Sequence, residues 1–239
     1  MFSGLGWFYT ARMNETVHSQ RPAARKTPSE RKGVGRTNDP ERTMANILQV
    51  AQQEFTEKGL AGARIDEIAA ATHTSKRMIY YYFGSKEGLY LAVLEGAYSR
   101  MRVIESQLNL DDMEPTAALR RLIEFTFDHH ASNETYIRLV VSENINRGQY
   151  LAQSQNIAQL NLPAISSIKK LYERGVASGV FRPGLDPVDI HASISALTFF
   201  NVSNRHTFGL IFKRDFTDTA TANLRRASIV EMVMRFVSP

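Results

Sequence analysis

The apolar positions of this chain recur at steps of three and four residues, and no segment alternates convincingly at a period of two. That pattern predicts an all-α protein of about nine helices, a small three-helix head followed by a larger bundle. Met44, Ile47, Leu48, Ala51 and Phe55 form the first stripe. It stands behind Asp39 as N-cap, Pro40 at the first helical position and Glu41 in the first turn. Gly59 closes it. Ile65, Ile68 and Ala69 make a short second stripe, with Asp66 and Glu67 suited to its N-terminus. Ser75 caps a third helix in which Ile79 and Phe83 face inward. Gly84 breaks that helix, and Ser85 caps a long fourth one that runs to about Leu108.

The bundle follows the same logic. Pro115 opens a helix through Leu119, Leu122, Ile123 and Phe125 to about Ala131. Asn133 reads as the cap of the next, which ends near Arg147-Gly148. A helical stretch from Tyr150 to about Ser178 is expected to be interrupted by Pro163. Asp186-Pro187 starts a helix to about Phe200 that is apolar on most sides, which predicts burial all round. Thr217 to Thr221 opens the last helix, with Ile229, Val230, Val233, Phe236 and Val237 apolar. The segments divide at 1–38, a tail without apolar periodicity, 39–86, the head, and 87–239, the bundle.

Two short helices joined by a turn of this length form a helix-turn-helix unit, whose second helix enters the DNA major groove. The outer face of that helix offers Lys76, Arg77, Met78, Tyr80 and Tyr81. Lys and Arg reach guanine acceptors, Met meets a thymine methyl, and Tyr hydroxyls donate to phosphate.

The run Thr74 to Leu89 reads Thr-Ser-Lys-Arg-Met-Ile-Tyr-Tyr-Tyr-Phe-Gly-Ser-Lys-Glu-Gly-Leu. It resembles the DNA-binding signature of the TetR family of bacterial transcriptional regulators, over roughly Arg42 to Leu94. One position departs from the family: His73 stands where the family usually has Gly, and a positive φ costs His more than Gly. The resemblance places Lys76, Arg77 and Met78 at base edges and Tyr80, Tyr81, Tyr82 and Lys86 near phosphates, with Arg64, Thr74 and Ser75 as further contacts. At most one of the three tyrosines is expected in the core.

The resemblance also implies a homodimer on a near-palindromic operator and a small organic effector that weakens DNA binding. Leu197, Phe200, Ile229, Val233 and Phe236 are the candidates for a four-helix dimer seam, with intrachain core as the alternative. Polar groups inside apolar helices mark the candidate effector site: His129, Tyr136, Asn144, His191, Asn201 and Asn204, with Phe125 beside them. Internal hydrogen bonds and buried water are the alternative for each. An aromatic or heteroaromatic compound suits that mix. An effector-independent helix-turn-helix regulator and a non-specific DNA binder are the competing functions.

Composition narrows the chemistry. The chain has no Cys, which excludes disulfides and thiolate sites. No apolar run approaches the roughly 18 residues of a membrane helix, and the opening residues make a poor signal peptide, so a cytoplasmic protein is expected. Met13 is an alternative start. The net charge of +5 sits wholly in residues 1–38, a basic tail that either tracks phosphates or is a solvated leader. His129 and His130 are adjacent, so on a helix they diverge by about 100° and do not chelate together. No His-x-x-x-His pair, Gly-rich phosphate loop or Gly-x-Ser-x-Gly elbow occurs. No metal, no cofactor and no enzymatic activity are expected.

Overall fold

The computed structural model describes residues 39–239, so the expectations for the basic tail lie outside the described residues. Ten helices and no strand occur among these residues. They are α1 (Pro40–Gly62), α2 (Ile65–Ala71), α3 (Lys76–Phe83), α4 (Lys86–Ser106), α5 (Pro115–Ser132), α6 (Glu134–Ile145), α7 (Ile157–Ala177), α8 (Pro187–Ser203), α9 (Arg205–Phe212) and α10 (Thr219–Val237).

The starts are set by caps that the sequence announces. Asp39 Oδ1 accepts from the amides of Glu41 and Arg42, at 3.1 and 3.2 Å, ahead of Pro40. Ser75 Oγ accepts from Met78 N at 3.2 Å, and Ser85 Oγ from Gly88 N at 3.0 Å. Asp186 and Asp218 cap α8 and α10 in the same way. Each such cap is worth about 1 kcal/mol. The regular part of α1 stops at Gly59, whose φ of 65° needs no Cβ penalty.

Two cores form. The first joins Ile47, Ala51 and Phe55 of α1, Ile65 and Ile68 of α2, Ile79 of α3, and Leu89, Tyr90, Val93, Leu94 and Ala97 of α4. It continues into Leu139 and Ile157, so it crosses the expected boundary at residue 86. Phe55 and Tyr90 meet edge to face at its centre, 5.2 Å between ring centroids. The second core joins α5, α7, α8 and α10 through Leu122, Ile123, Ile168, Leu171, Ile190, Ile194, Ile229 and Val233. The helix α4 belongs to both ends: it packs on α1 and α3 in the head, and on α6 and α7 in the bundle.

Four details differ from the sequence reading. A tenth helix, α9, lies between Asn204 and Lys213, where the periodicity was too short to register. Pro163 does not interrupt α7, which starts at Ile157 and runs through it. The proline removes the donor to Gln159 O, but Gln159 is exposed and water can replace it. Asn133 stands at the N-cap of α6 as expected, but its side chain does not make the cap bond; its Nδ2 donates back to His129 O at 2.8 Å, at the end of α5. Finally, α8 is not buried all round. Ile190, Ile194, Thr198 and Asn201 face the core, whereas Ala192, Ala196 and Phe200 stay exposed.

Candidate nucleic-acid interface

Ile79 is the inward anchor of α3 and is 0% exposed. The candidate contact residues of α3 are arranged around it. Lys76, Arg77 and Tyr80 are exposed, Met78 is partly so, and Tyr81 stands out at 77%. Tyr82 is the one tyrosine that turns toward the head core, where it packs with Phe83 at 6.2 Å between centroids. Tyr81 leans on Tyr82 edge to face, at 5.4 Å, which fixes the direction of an otherwise free ring. Ser75 spends its hydroxyl on the cap and remains exposed beside half-buried Thr74.

The turn before α3 holds His73 at φ 52°, the left-handed conformation expected for the family's Gly. Thr74 N donates to Ala69 O at 3.0 Å and ties the turn to α2.

Charges on this face are partly engaged with one another. Asp66 pairs with Lys76 and lies 3.9 Å from Arg64 Nη2. Lys58 bridges Glu54 and Glu67, and it holds the Glu67 carboxyl below its usual range. Lys86 donates to Ala61 O at 3.3 Å, tying the start of α4 to the end of α1. An ammonium has three donors, so two remain for a phosphate. Exposed pairs of this kind are weak and salt-sensitive, so Asp66 leaves Lys76 free to exchange its partner.

Gly88 matters here and carried no role in the sequence reading. A Cβ at Gly88 would lie 2.1 Å from Phe83 O, closer than atoms can approach. Only Gly lets α4 start this close behind the end of α3. Its position, three residues after the capping Ser85, was a usable signal.

The sequence between residues 47 and 93 matches the family model described as bacterial regulatory proteins, tetR family. Residues 115–233 match the tetracyclin repressor-like C-terminal domain. A relative, the HTH-type transcriptional repressor NicS of Pseudomonas putida, is 35% identical over 188 residues, covering 79% of this chain and 89% of that protein. The chain belongs to the TetR family. The HTH-type transcriptional repressor SCO4008 of Streptomyces coelicolor is 37% identical over 110 residues, 46% of this chain and 54% of that protein. A solved tetR-family regulatory protein from Rhodococcus RHA1 shares the fold at a TM-score of 0.65 and 20% identity, covering 82% of this chain and 97% of that one. This TetR-family chain is therefore a DNA-binding transcriptional regulator and not an enzyme. No described helix is long and apolar enough to cross a membrane.

In the bundle of this TetR-family chain the expected effector residues part into two groups. Phe125, His129, Tyr136 and His191 collect in one place, together with His130. Tyr136 lies 5.9 Å from His129 and 6.1 Å from His130, ring centroid to centroid. His191 of α8 helps to hold the His130 imidazole low. Asn144, Asn201 and Asn204 do not join. Asn144 is exposed and bonds to Val140 O. Asn201 accepts from Arg225 Nε at 3.0 Å, and Asn204 ends α8. They are satisfied structural residues.

The first group contains members the sequence reading missed. Tyr98, Arg102 and Glu105 of α4 face it; Arg102 pairs with Glu105, and Tyr98 meets Tyr136 at 5.6 Å. A mixed face on a long helix gave no hint that these three point inward. Burial, and then the positive charge of Arg102, hold His129 and His191 below the usual imidazole range. His130 falls to about 3 through burial, His129, Arg102 and His191. Burial raises the Tyr136 hydroxyl well above the ordinary phenol. A separate groove of about 450 Å³ between α5 and α10 is lined by Arg120, Glu124, Arg226, Glu231 and Arg235. Its charges are largely matched, Arg226 with Asp128 at 2.9 Å and Glu124 at 3.5 Å.

The expected dimer residues also divide. Ile229 and Val233 are 0% and 1% exposed within the chain's own core, so they have no surface left for a partner. Leu197 is half-buried against that core. Phe200 and Phe236 are exposed, the latter with the Arg182 guanidinium 5.1 Å above its ring. Around them the chain leaves Leu210, Ile211, Phe212 and Leu224 open to water.

Proposed function

We propose that this regulator is a homodimeric repressor that a small organic effector releases from a near-palindromic operator. The observation that carries the reading is the outward row of α3. Lys76, Arg77, Met78, Tyr80 and Tyr81 are held on a helix whose only deeply buried residue is Ile79. In this reading Lys76, Arg77 and Met78 reach base edges, while Tyr80, Tyr81, Lys86, Arg64, Thr74 and Ser75 serve the phosphates.

One head reads only a few base pairs, so a two-fold pair of heads supplies affinity and spacing. Exposed apolar surface supports the pair. Leu210 is 83% and Ile211 70% exposed, and Phe208 stacks within 4.4 Å of Phe212 and 5.5 Å of Phe200. A monomer rarely leaves so much contiguous apolar surface in water. The seam then runs over α8 and α9 and the outer side of α10, through Phe200 and Phe236 rather than Ile229 and Val233.

Release is a population shift. DNA selects one head separation, and an effector selects another through α4, which packs in both parts. The test is competition at the protein's own upstream DNA with a panel of small aromatic compounds. Release by one of them supports the effector reading. Sequence-specific binding that every compound leaves unchanged favours an effector-independent regulator. A protein that works on the chromosome acts in the cytoplasm.

A further inference from the structure

The cluster around Tyr136 contains two nitrogens with nothing to bind. Among the described residues, Arg102 Nε and His129 Nδ1 are buried without a hydrogen-bond partner. Arg102 spends an Nη on Glu105, and both side chains are only 12% exposed. Burial of an unmet donor is costly, and an unmet guanidinium nitrogen is the costlier kind. Such groups persist where something else supplies the acceptor.

The walls define the shape of that acceptor. Tyr136 is flanked by Tyr98, His129 and His130 at 5.6, 5.9 and 6.1 Å, and the His130 ring lies within 24° of parallel to it. Phe125 stands 5.8 Å behind His129, and Phe199 stands 6.0 Å from His130. Flat rings on several sides fit a flat ligand. The charged and titratable groups of this cluster are Arg102, Glu105 and Tyr98 from α4, His129 and His130 from α5, Tyr136 from α6 and His191 from α8. After burial, the nearby positive charge of Arg102 lowers all three imidazoles despite its ion pair.

We infer that this cluster is the effector site and that it takes a one-ring aromatic carboxylate. The inference rests on the effector reading above and gives it a ligand class. The carboxylate accepts from Arg102 Nε and from His129, and the ring replaces that of Tyr136 against His130. Two connections carry the displacement to the head. Arg102 shares α4 with Leu89 to Ala97 of the head core. Tyr136 shares α6 with Arg138, whose Nε donates to Thr56 O of α1 at 3.1 Å.

The test is calorimetric titration of the full chain with benzoate and its hydroxy- and amino-substituted series, each against the matching uncharged benzamide. At least one carboxylate binds the wild type, and its amide binds about tenfold or more weakly. His129→Phe keeps the aromatic packing and weakens the carboxylate about tenfold. The double variant Arg102→Met with Glu105→Gln removes both charges together, so no lone ion is buried, and abolishes the preference for acid over amide. No binding by any carboxylate, or equal preference in wild type and double variant, overturns the inference. The same titrations over bound operator DNA separate the two readings. Release by uncharged aromatics alone keeps the effector and sinks the anion. Carboxylate binding here that leaves DNA bound keeps the anion site and sinks its role as effector.

Discussion

Thr198 Oγ1 lies 3.0 Å from His130 Nδ1 inside the bundle. The hydroxyl has one proton, and Ile194 O takes it at 2.8 Å. Thr198 therefore accepts from Nδ1–H, and His130 is held neutral in that tautomer. A second proton on this ring is disfavoured in the folded state. Since the folded value, about 3, lies below the ordinary 6.5, the unfolded chain binds more protons between those values. Stability is complete above pH 6.5 and declines as pH falls toward 3, by roughly 1 kcal/mol per pH unit for this group. His129 and His191 add to the same slope. Urea unfolding at a series of pH values checks this, and His130→Phe should flatten the curve. A curve independent of pH over that window would mean that His130 is solvated.

On the DNA face the base-reading and phosphate-holding roles separate by mutation. Arg77→Ala should cost about 1–3 kcal/mol on the operator and little on scrambled DNA. Tyr81→Phe removes a single exposed hydroxyl and should weaken both duplexes alike, by about 1 kcal/mol. Anisotropy titrations on the two duplexes measure both. Equal losses on the two duplexes in Arg77→Ala would remove it from base readout.

Asp66 holds Lys76 in the free protein, and DNA has to displace it. Asp66→Asn should therefore tighten operator binding several-fold and binding to scrambled DNA less. An equal gain on the two duplexes would remove Lys76 from base readout.

Gly88→Ala drives a methyl against Phe83 O and pushes α3 from its place. DNA affinity should fall about tenfold or more while the second core is untouched. Circular dichroism and anisotropy together test this, and wild-type affinity in a folded variant would contradict it. In the bundle, Gly175→Ala meets the buried Phe181 ring at 1.9 Å and should destabilise the protein by about 1–3 kcal/mol without altering the head.

The head was legible because each of its signals is local. Asp39, Ser75 and Ser85 cap within three residues of themselves, and Ile47, Ile68 and Ile79 fall on helical stripes. The bundle was legible as helices but not as contacts. Ile229 and Val233 looked like partner surface because a single chain does not say which stripe meets its own core. Asn144 and Asn201 resembled site residues until their backbone and arginine partners were seen, and Asn204 until its bond to Ser203 Oγ was. Arg102 and Glu105 were missed for the opposite reason. Charged residues on a long helix are expected in water, and only the packing of α4 into the bundle turns them inward.

The most direct test of a sequence-reading dimer is anisotropy of the full chain on DNA from its own upstream region, against a scrambled duplex of equal composition and length at fixed salt. Two chains per site are expected, with an affinity about a thousandfold or more above the scrambled duplex. Equal affinities on the two duplexes, or one chain per site, would contradict it.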